Sequence, residues 1–197
     1  MFRQGSMLEI RWHGRGGQGA VTSAEILAEA AITEGKYAQA FPSFGPERRG
    51  APVQAFNRIS ADKQIRIRSS VTEPDIVVVL DSGLMSVVDV TSGMKPGGIV
   101  IVNSAKTTQQ IKTEFSIKSG IATVAANRIA LEELGVPITN TTMLGAVIKA
   151  TDAVKLESIF EPIRKRFGRL ADKNISALKR AYAETLIEEL AGGQINK

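Results

Sequence analysis

Gly14, Gly16 and Gly19 stand at the spacing G-x-G-x-x-G, with Gly17 between them. They follow a short segment with apolar residues at alternate positions (Leu8, Ile10, Trp12) and precede a helical run from Ala20 to Glu34. A strand, a glycine turn and a helix amino terminus in that order suit an anion. Glycines let a ligand approach the backbone, and the first turn of the helix offers unpaired N–H groups with a partial positive charge. Gly14, Arg15, Gly16, Gly17, Gln18 and Gly19 are therefore the first candidate site residues. A dinucleotide site would place an acidic residue about 20 positions further on, where Tyr37 to Ser43 contain none. A nucleotide-triphosphate loop would continue with Lys and Ser/Thr, where Ala20 and Val21 stand. Two readings stay open: a phosphate-bearing ligand or partner group at the turn, or a tight turn that packs helix on sheet.

Other chemistry is narrowly bounded. The 197 residues include no cysteine and one histidine, which excludes disulfides, thiolate-held iron–sulfur clusters, cysteine nucleophiles and histidine-rich metal sites within this chain. His13, at the end of the first strand, is placed either to donate to an anion or simply to pack. The segment Pro42 to Pro52 holds three prolines, two glycines and the pair Arg48 and Arg49; paired arginines are shaped to clamp a carboxylate or a phosphate. Arg66 and Arg68 alternate with Ile65 and Ile67, so both arginines share one side of an extended segment, placed to pair with acids, to meet another subunit or simply to be solvated. The formal net charge of +5 fits an anionic partner. Scattered basic residues and 5% aromatics argue against nucleic acid.

The elements that must position these residues follow from periodicity. Gly35 is placed to end the first helix as a left-handed residue. A second strand, Lys36 to Phe41, is expected in parallel beside the first. Val53–Ile59 and Gln64–Ser69 read as an antiparallel hairpin about Ser60–Lys63, with Ile65 and Ile67 facing in. Ile76–Leu80 and Gly97–Ser104 are buried parallel strands ending in Asp81 and Asn103, and Gly120–Ala125 is a weaker one. Helices are expected over Gly83–Gly93 and Asn127–Gly135. From Thr139 to Leu190 the chain reads as helical, with Met143–Ala150 buried all round and Ile159, Ile163, Phe167, Ile175, Leu178, Tyr182 and Leu186 on apolar faces. The fold class is α/β: a mostly parallel sheet with helices on both faces, an inserted β-hairpin and a helical C-terminal segment. Ligands of such sheets bind outside the carboxyl ends of the strands, which gathers the glycine turn, Asp81 and Asn103 at one edge. Residues 1–6 (MFRQGS), ahead of a second methionine, read as added sequence; residues 7–190 form one domain and 191–197 a frayed tail. The longest apolar run, Ile76 to Leu80, is too short to span a bilayer, so no membrane contact and a cytoplasmic location are expected.

RWHGRGGQG at 11–19, FPSFGPERRGAP at 41–52, DIVVVLD at 75–81, GGIVIVNS at 97–104 and TNTTMLGA at 139–146 together resemble the gamma subunit, or gamma domain, of the 2-oxoacid:ferredoxin oxidoreductases acting on pyruvate or 2-ketoisovalerate. The resemblance covers nearly all of residues 7–190. It implies a Rossmann-like fold and a non-catalytic gamma subunit in a complex that converts a 2-oxoacid, coenzyme A and oxidised ferredoxin into acyl-CoA, CO₂ and reduced ferredoxin. It further implies alpha, beta and ferredoxin-like delta subunits as partners. Thiamine diphosphate and [4Fe-4S] clusters then reside in the other subunits, and none is bound by this chain alone. The same resemblance implies that the turn residues 14–19, with Arg48 and Arg49, contact coenzyme A or a neighbouring subunit. A free-standing nucleotide-binding protein of Rossmann type is the alternative, and an interaction protein of another assembly is a third reading.

Overall fold

The computed structural model describes residues 7–43 and 50–188. Among these, seven strands form one sheet in the order β2-β3-β1-β4-β5-β6-β7. The strands are β1 (Met7–Arg15), β2 (Tyr37–Pro42), β3 (Pro52–Ser60), β4 (Ile76–Val79), β5 (Ile99–Asn103), β6 (Gly120–Val124) and β7 (Leu186–Glu188). β1, β4, β5 and β6 run parallel; β3 is antiparallel to both β1 and β2, and β7 is antiparallel to β6. Helix α1 (Ala20–Thr33) joins β1 to β2, α2 (Thr108–Phe115) joins β5 to β6, and α3 (Ala126–Leu134), α4 (Asn140–Thr151), α5 (Phe160–Phe167) and α6 (Ala171–Glu184) follow β6.

Alternation along the strands divides the core into two layers. Ile10, Trp12, Val78 and Ile101 face one side, where α1, α4 and α6 supply Leu27, Met143, Val147 and Leu178; Val77, Val79, Val100 and Val102 face the other, against Ile111 of α2. The indole of Trp12, fully buried, donates from Nε1 to Asn57 Oδ1 at 2.8 Å, and Asn57 Nδ2 donates to the Ala24 carbonyl at 2.8 Å. That relay fixes α1 against β1 and β3. α1 stops where expected, with Gly35 at φ 79° and the Lys36 N–H closing on the Ala31 carbonyl at 3.1 Å.

Several expectations are corrected. β2 does not lie beside β1, because β3 is inserted between them, pairing Ala55 with Trp12 on one side and with Pro42 on the other. β3 is buried from Ala55 to Ser60, as a strand paired on both edges must be, whereas β2 is only half-buried and forms the edge. The hairpin is therefore β2–β3, and Gln64–Ser69 is not a strand. Its carbonyls are taken by side chains instead: Gln39 Nε2 donates to Ile65 O at 2.9 Å and Arg58 Nη1 to Ile67 O at 3.3 Å. Ile67, expected inside, is 53% exposed.

The helix expected over Gly83–Gly93 is reduced to a 3₁₀ turn, Ser82–Ser86. Asp89 Oδ1 accepts from both the N–H and the hydroxyl of Thr91, and Arg11 donates to the carbonyls of Val90 and Ser92; both remove groups a helix needs. α2 went unforeseen although Thr107 and Gln110 form a capping box at its start. β7 was also missed. Thr185, extended, breaks α6, after which Glu188 pairs with Ile121, and Leu186 is 55% exposed rather than inside. Residues 1–6, Arg48, Arg49 and the tail 191–197 lie outside the described residues.

Candidate functional site

The carboxyl ends of β1, β4 and β5 form one edge, and the candidate residues occupy it. β1 ends at Arg15, and the chain then turns through Gly17 at φ 93° and Gly19 at φ 83° into α1. Gly14 is buried, and a Cβ there would stand 3.1 Å from Leu80 Cδ1, so its role is close packing of β1 on β4. Gly16 bridges the turn to the returning chain, its N–H donating to Ala51 O at 2.9 Å and its carbonyl accepting from the Gly50 N–H at 3.3 Å. Gly17 is exposed, with open space where a side chain would go. Gly19 needs both its left-handed φ and its missing side chain, because a Cβ would stand 2.8 Å from Asn140 Nδ2.

Arg15 and Gln18 turn towards Asp81. Arg15 Nε donates to Asp81 Oδ2 at 2.8 Å, Gln18 Nε2 to the same oxygen at 3.3 Å, and the Gly83 N–H to Oδ1 at 2.9 Å, while Gln18 Oε1 accepts from the Arg15 N–H at 2.7 Å. Burial pushes the Asp81 carboxyl up, but the hydrogen bonds from Arg15, Gly83 and Gln18 and the Arg15 charge outweigh it and hold the group below the usual carboxylate range. The pair is only partly buried, with side-chain exposures of 35% and 27%, so Arg15 keeps a face to solvent. Asn103 does not join this cluster. Its Nδ2 donates to Leu80 O and Asn127 Oδ1, and its Oδ1 accepts from the Asn127 N–H, so it pins β4, β5 and α3 together.

The start of α1 is uncapped: Gly19 offers no side chain, and the first turn holds no acidic residue. The start of α4 lies against it. Ser23 Oγ donates to Asn140 O at 3.1 Å, so two helix amino termini meet at this edge. Asn140 was not among the sequence candidates; the signal for it is its place in TNTT at 139–142. An exposed glycine, free N–H groups and a half-exposed guanidinium fit a phosphate. The cysteine-free sequence does not fit an iron–sulfur cluster, and among the described residues no group of three or more His, Cys, Asp or Glu could hold a metal ion.

His13 is 4% exposed and packed rather than aimed at a ligand. Its Nε2 accepts from Arg11 Nε at 3.1 Å, so the neutral ring carries its proton on Nδ1. Burial, and then the Arg11 charge, lower its pKa from 6.5 to about 4. A folded pKa below the unfolded one means that the unfolded chain takes up a proton first as pH falls. The stability is fully present above pH 6.5 and is lost between 6.5 and about 4, reaching about 3 kcal/mol. Urea midpoints from pH 7 to 4 should fall more steeply for the wild type than for His13→Gln; parallel curves would contradict this.

A strand–glycine turn–helix at the carboxyl edge of a mostly parallel sheet, covered by helices on both faces, defines a Rossmann-like α/β protein. The chain belongs to the pyruvate ferredoxin/flavodoxin oxidoreductase family, whose model matches residues 9–184. It is 59% identical to the pyruvate/ketoisovalerate oxidoreductases common subunit gamma of Thermococcus kodakarensis, over 93% of this chain and all of that one. Its identity to pyruvate synthase subunit PorC of Methanothermobacter marburgensis is 55%, over 89% of this chain and 96% of that one. The crystal structure of pyruvate oxidoreductase subunit PORC from Thermotoga maritima superimposes with a TM-score of 0.83 at 42% identity, covering 93% of this chain and 99% of that one. Among the described residues, no helix is long and apolar enough to cross a membrane.

Proposed function

We propose that this chain is the gamma subunit of a 2-oxoacid:ferredoxin oxidoreductase acting on pyruvate or 2-ketoisovalerate, and that it works only in assembly with chains that carry thiamine diphosphate and iron–sulfur clusters. Within that complex its glycine turn receives the phosphate-bearing end of coenzyme A, which accepts the acyl group. The carrying observation is the uncapped start of α1 beside exposed Gly17, with no acid in the first helical turn. The N–H groups of Gly19 and of the first three residues of α1 bind the anion, the α1 dipole favours its charge, and the solvent face of Arg15 completes the contact while its Nε stays on Asp81 and its Nη1 on Gly50 O. Arg48 and Arg49, just before Gly50 in sequence, are assigned to the same anion or to the neighbouring subunit. The mutual pairing of Arg15, Gln18 and Asp81 also supports a purely structural turn, and the test separates the two readings.

Thr22 stands in the first turn of α1. Thr22→Glu adds a negative charge where the dipole welcomes it, so the subunit's melting temperature should hold or rise slightly. In the assembled complex the KM for coenzyme A should rise several-fold and the KM for the oxoacid stay unchanged. Equal KM values for coenzyme A in variant and wild type would assign the turn to packing alone.

A further inference from the structure

The segment from Ser60 to Ser70 runs along the opposite end of the sheet from the glycine turn. Beyond Ser60, the last residue of β3, it joins no strand ladder. Gln39 and Arg58 hold its backbone from below, through Ile65 O at 2.9 Å, Ile67 O at 3.3 Å and Ser70 O at 3.5 Å. Arg58 is itself 2% exposed and locked to Glu9, whose second carboxylate oxygen binds Lys95, which also binds Asp75. A partly buried network of charges, centred on buried Arg58, thus fixes the backbone of a surface strap.

Two of the strap's outward side chains have no partner among the described residues. Arg66 and Arg68 are exposed, and among the described residues neither makes a hydrogen bond or ion pair. Between them Ile67 is 53% exposed, and a shallow cleft bordered by Met7, Ser60 and the strap's residues 63–67 lies alongside. Tyr37, opposite Ser60 in the β2–β3 ladder and on the same side of β2 as Gln39, is 46% exposed. Of the nearby acids, Glu9 binds Arg58 and Lys95 and Asp75 binds Lys95, while Asp62 and Glu73, close to the arginines in sequence, pair with neither Arg66 nor Arg68.

We propose that this strap is a docking surface for a carboxylate-rich protein segment, with Arg66 and Arg68 pairing its acids and Ile67 and Tyr37 making the apolar contact. Charge complementarity selects an acidic partner. Tyrosine and arginine around one exposed isoleucine have the composition of a protein interface. Nucleic acid would call for a wider basic face and stacked aromatics. The chain's own residues 1–6 contain Arg3 and no acid, and so do not complement the strap. The inference rests on the proposed function only in requiring that this chain works inside a protein assembly.

The test uses the complex assembled from this chain and its co-produced partners. A photo-crosslinking amino acid at position 67 should join the strap to an Asp/Glu-rich segment of another chain. Arg66→Glu with Arg68→Glu should weaken that partner's binding about tenfold or more at low salt, with the difference shrinking as NaCl is raised and the melting temperature of the isolated subunit unchanged. Crosslinks confined to this chain, crosslinks to nucleic acid or lipid, or wild-type affinity in the charge-reversed variant would each overturn the docking surface. If these occur in a complex whose KM for coenzyme A still responds to Thr22→Glu, the proposed function stands. A wild-type chain that assembles with no thiamine- or cluster-bearing chain overturns both.

Discussion

Gly145→Ala should destabilise the subunit by about 3 kcal/mol and lower its melting temperature by about 10 °C, although alanine is the better helix former. Gly145 lies inside α4, where residues 140–148 are all buried, and α4 packs on α6. Helix propensity alone favours the substitution by about 1 kcal/mol. A Cβ there, however, would press into the Leu178 carbonyl oxygen and stand 2.9 Å from the Tyr182 nitrogen. Both are backbone atoms of α6, so no side chain can swing away; the helices must separate and forfeit contacts among Met143, Val147, Ala177 and Leu178. Calorimetry of the variant decides the matter. A melting temperature at or above wild type would show that α4 and α6 yield easily.

Arg58→Met should cost about 3 kcal/mol, the lower end for breaking a buried ion pair, because Glu9 retains Lys95 on its other oxygen. The carbonyls of Ile67 and Ser70 lose their donor at the same time. Trypsin cleavage after Arg66 and Arg68 should therefore accelerate, while β1 and β4 stay protected. The contrast is Arg15→Met at the glycine turn, where the half-exposed pair with Asp81 should contribute less than about 1 kcal/mol. Denaturant titration of both variants, with limited trypsin proteolysis of the first, checks the order. Equal losses, or a strap cleaved as slowly as in wild type, would show that Arg58 fills space without holding the strap.

By itself the sequence determined the parallel half of the sheet, α1 with its Gly35 stop, the buried helix α4, the glycine turn and the family. These features are local: continuous β-branched runs such as Ile76–Val79, helical periodicity and glycines at fixed spacing act over a few neighbouring residues. Only the tertiary structure decided how strands pair across the chain. Gln64–Ser69 has the alternation of a strand, yet Gln39 and Arg58 take its carbonyls before a ladder can form, and β3 takes the place beside β1 because its residues can be buried with partners on both edges. Arg15 and Gln18 are legible in the sequence as site candidates, but their pairing with Asp81, sixty-odd positions away, is not. Nothing in the sequence singles out the packing role of Gly145 within its buried helix or of Asn140 near that helix's start. Their roles exist only where α4 meets α6 and α1, since contacts between elements distant in the chain leave no periodicity to read.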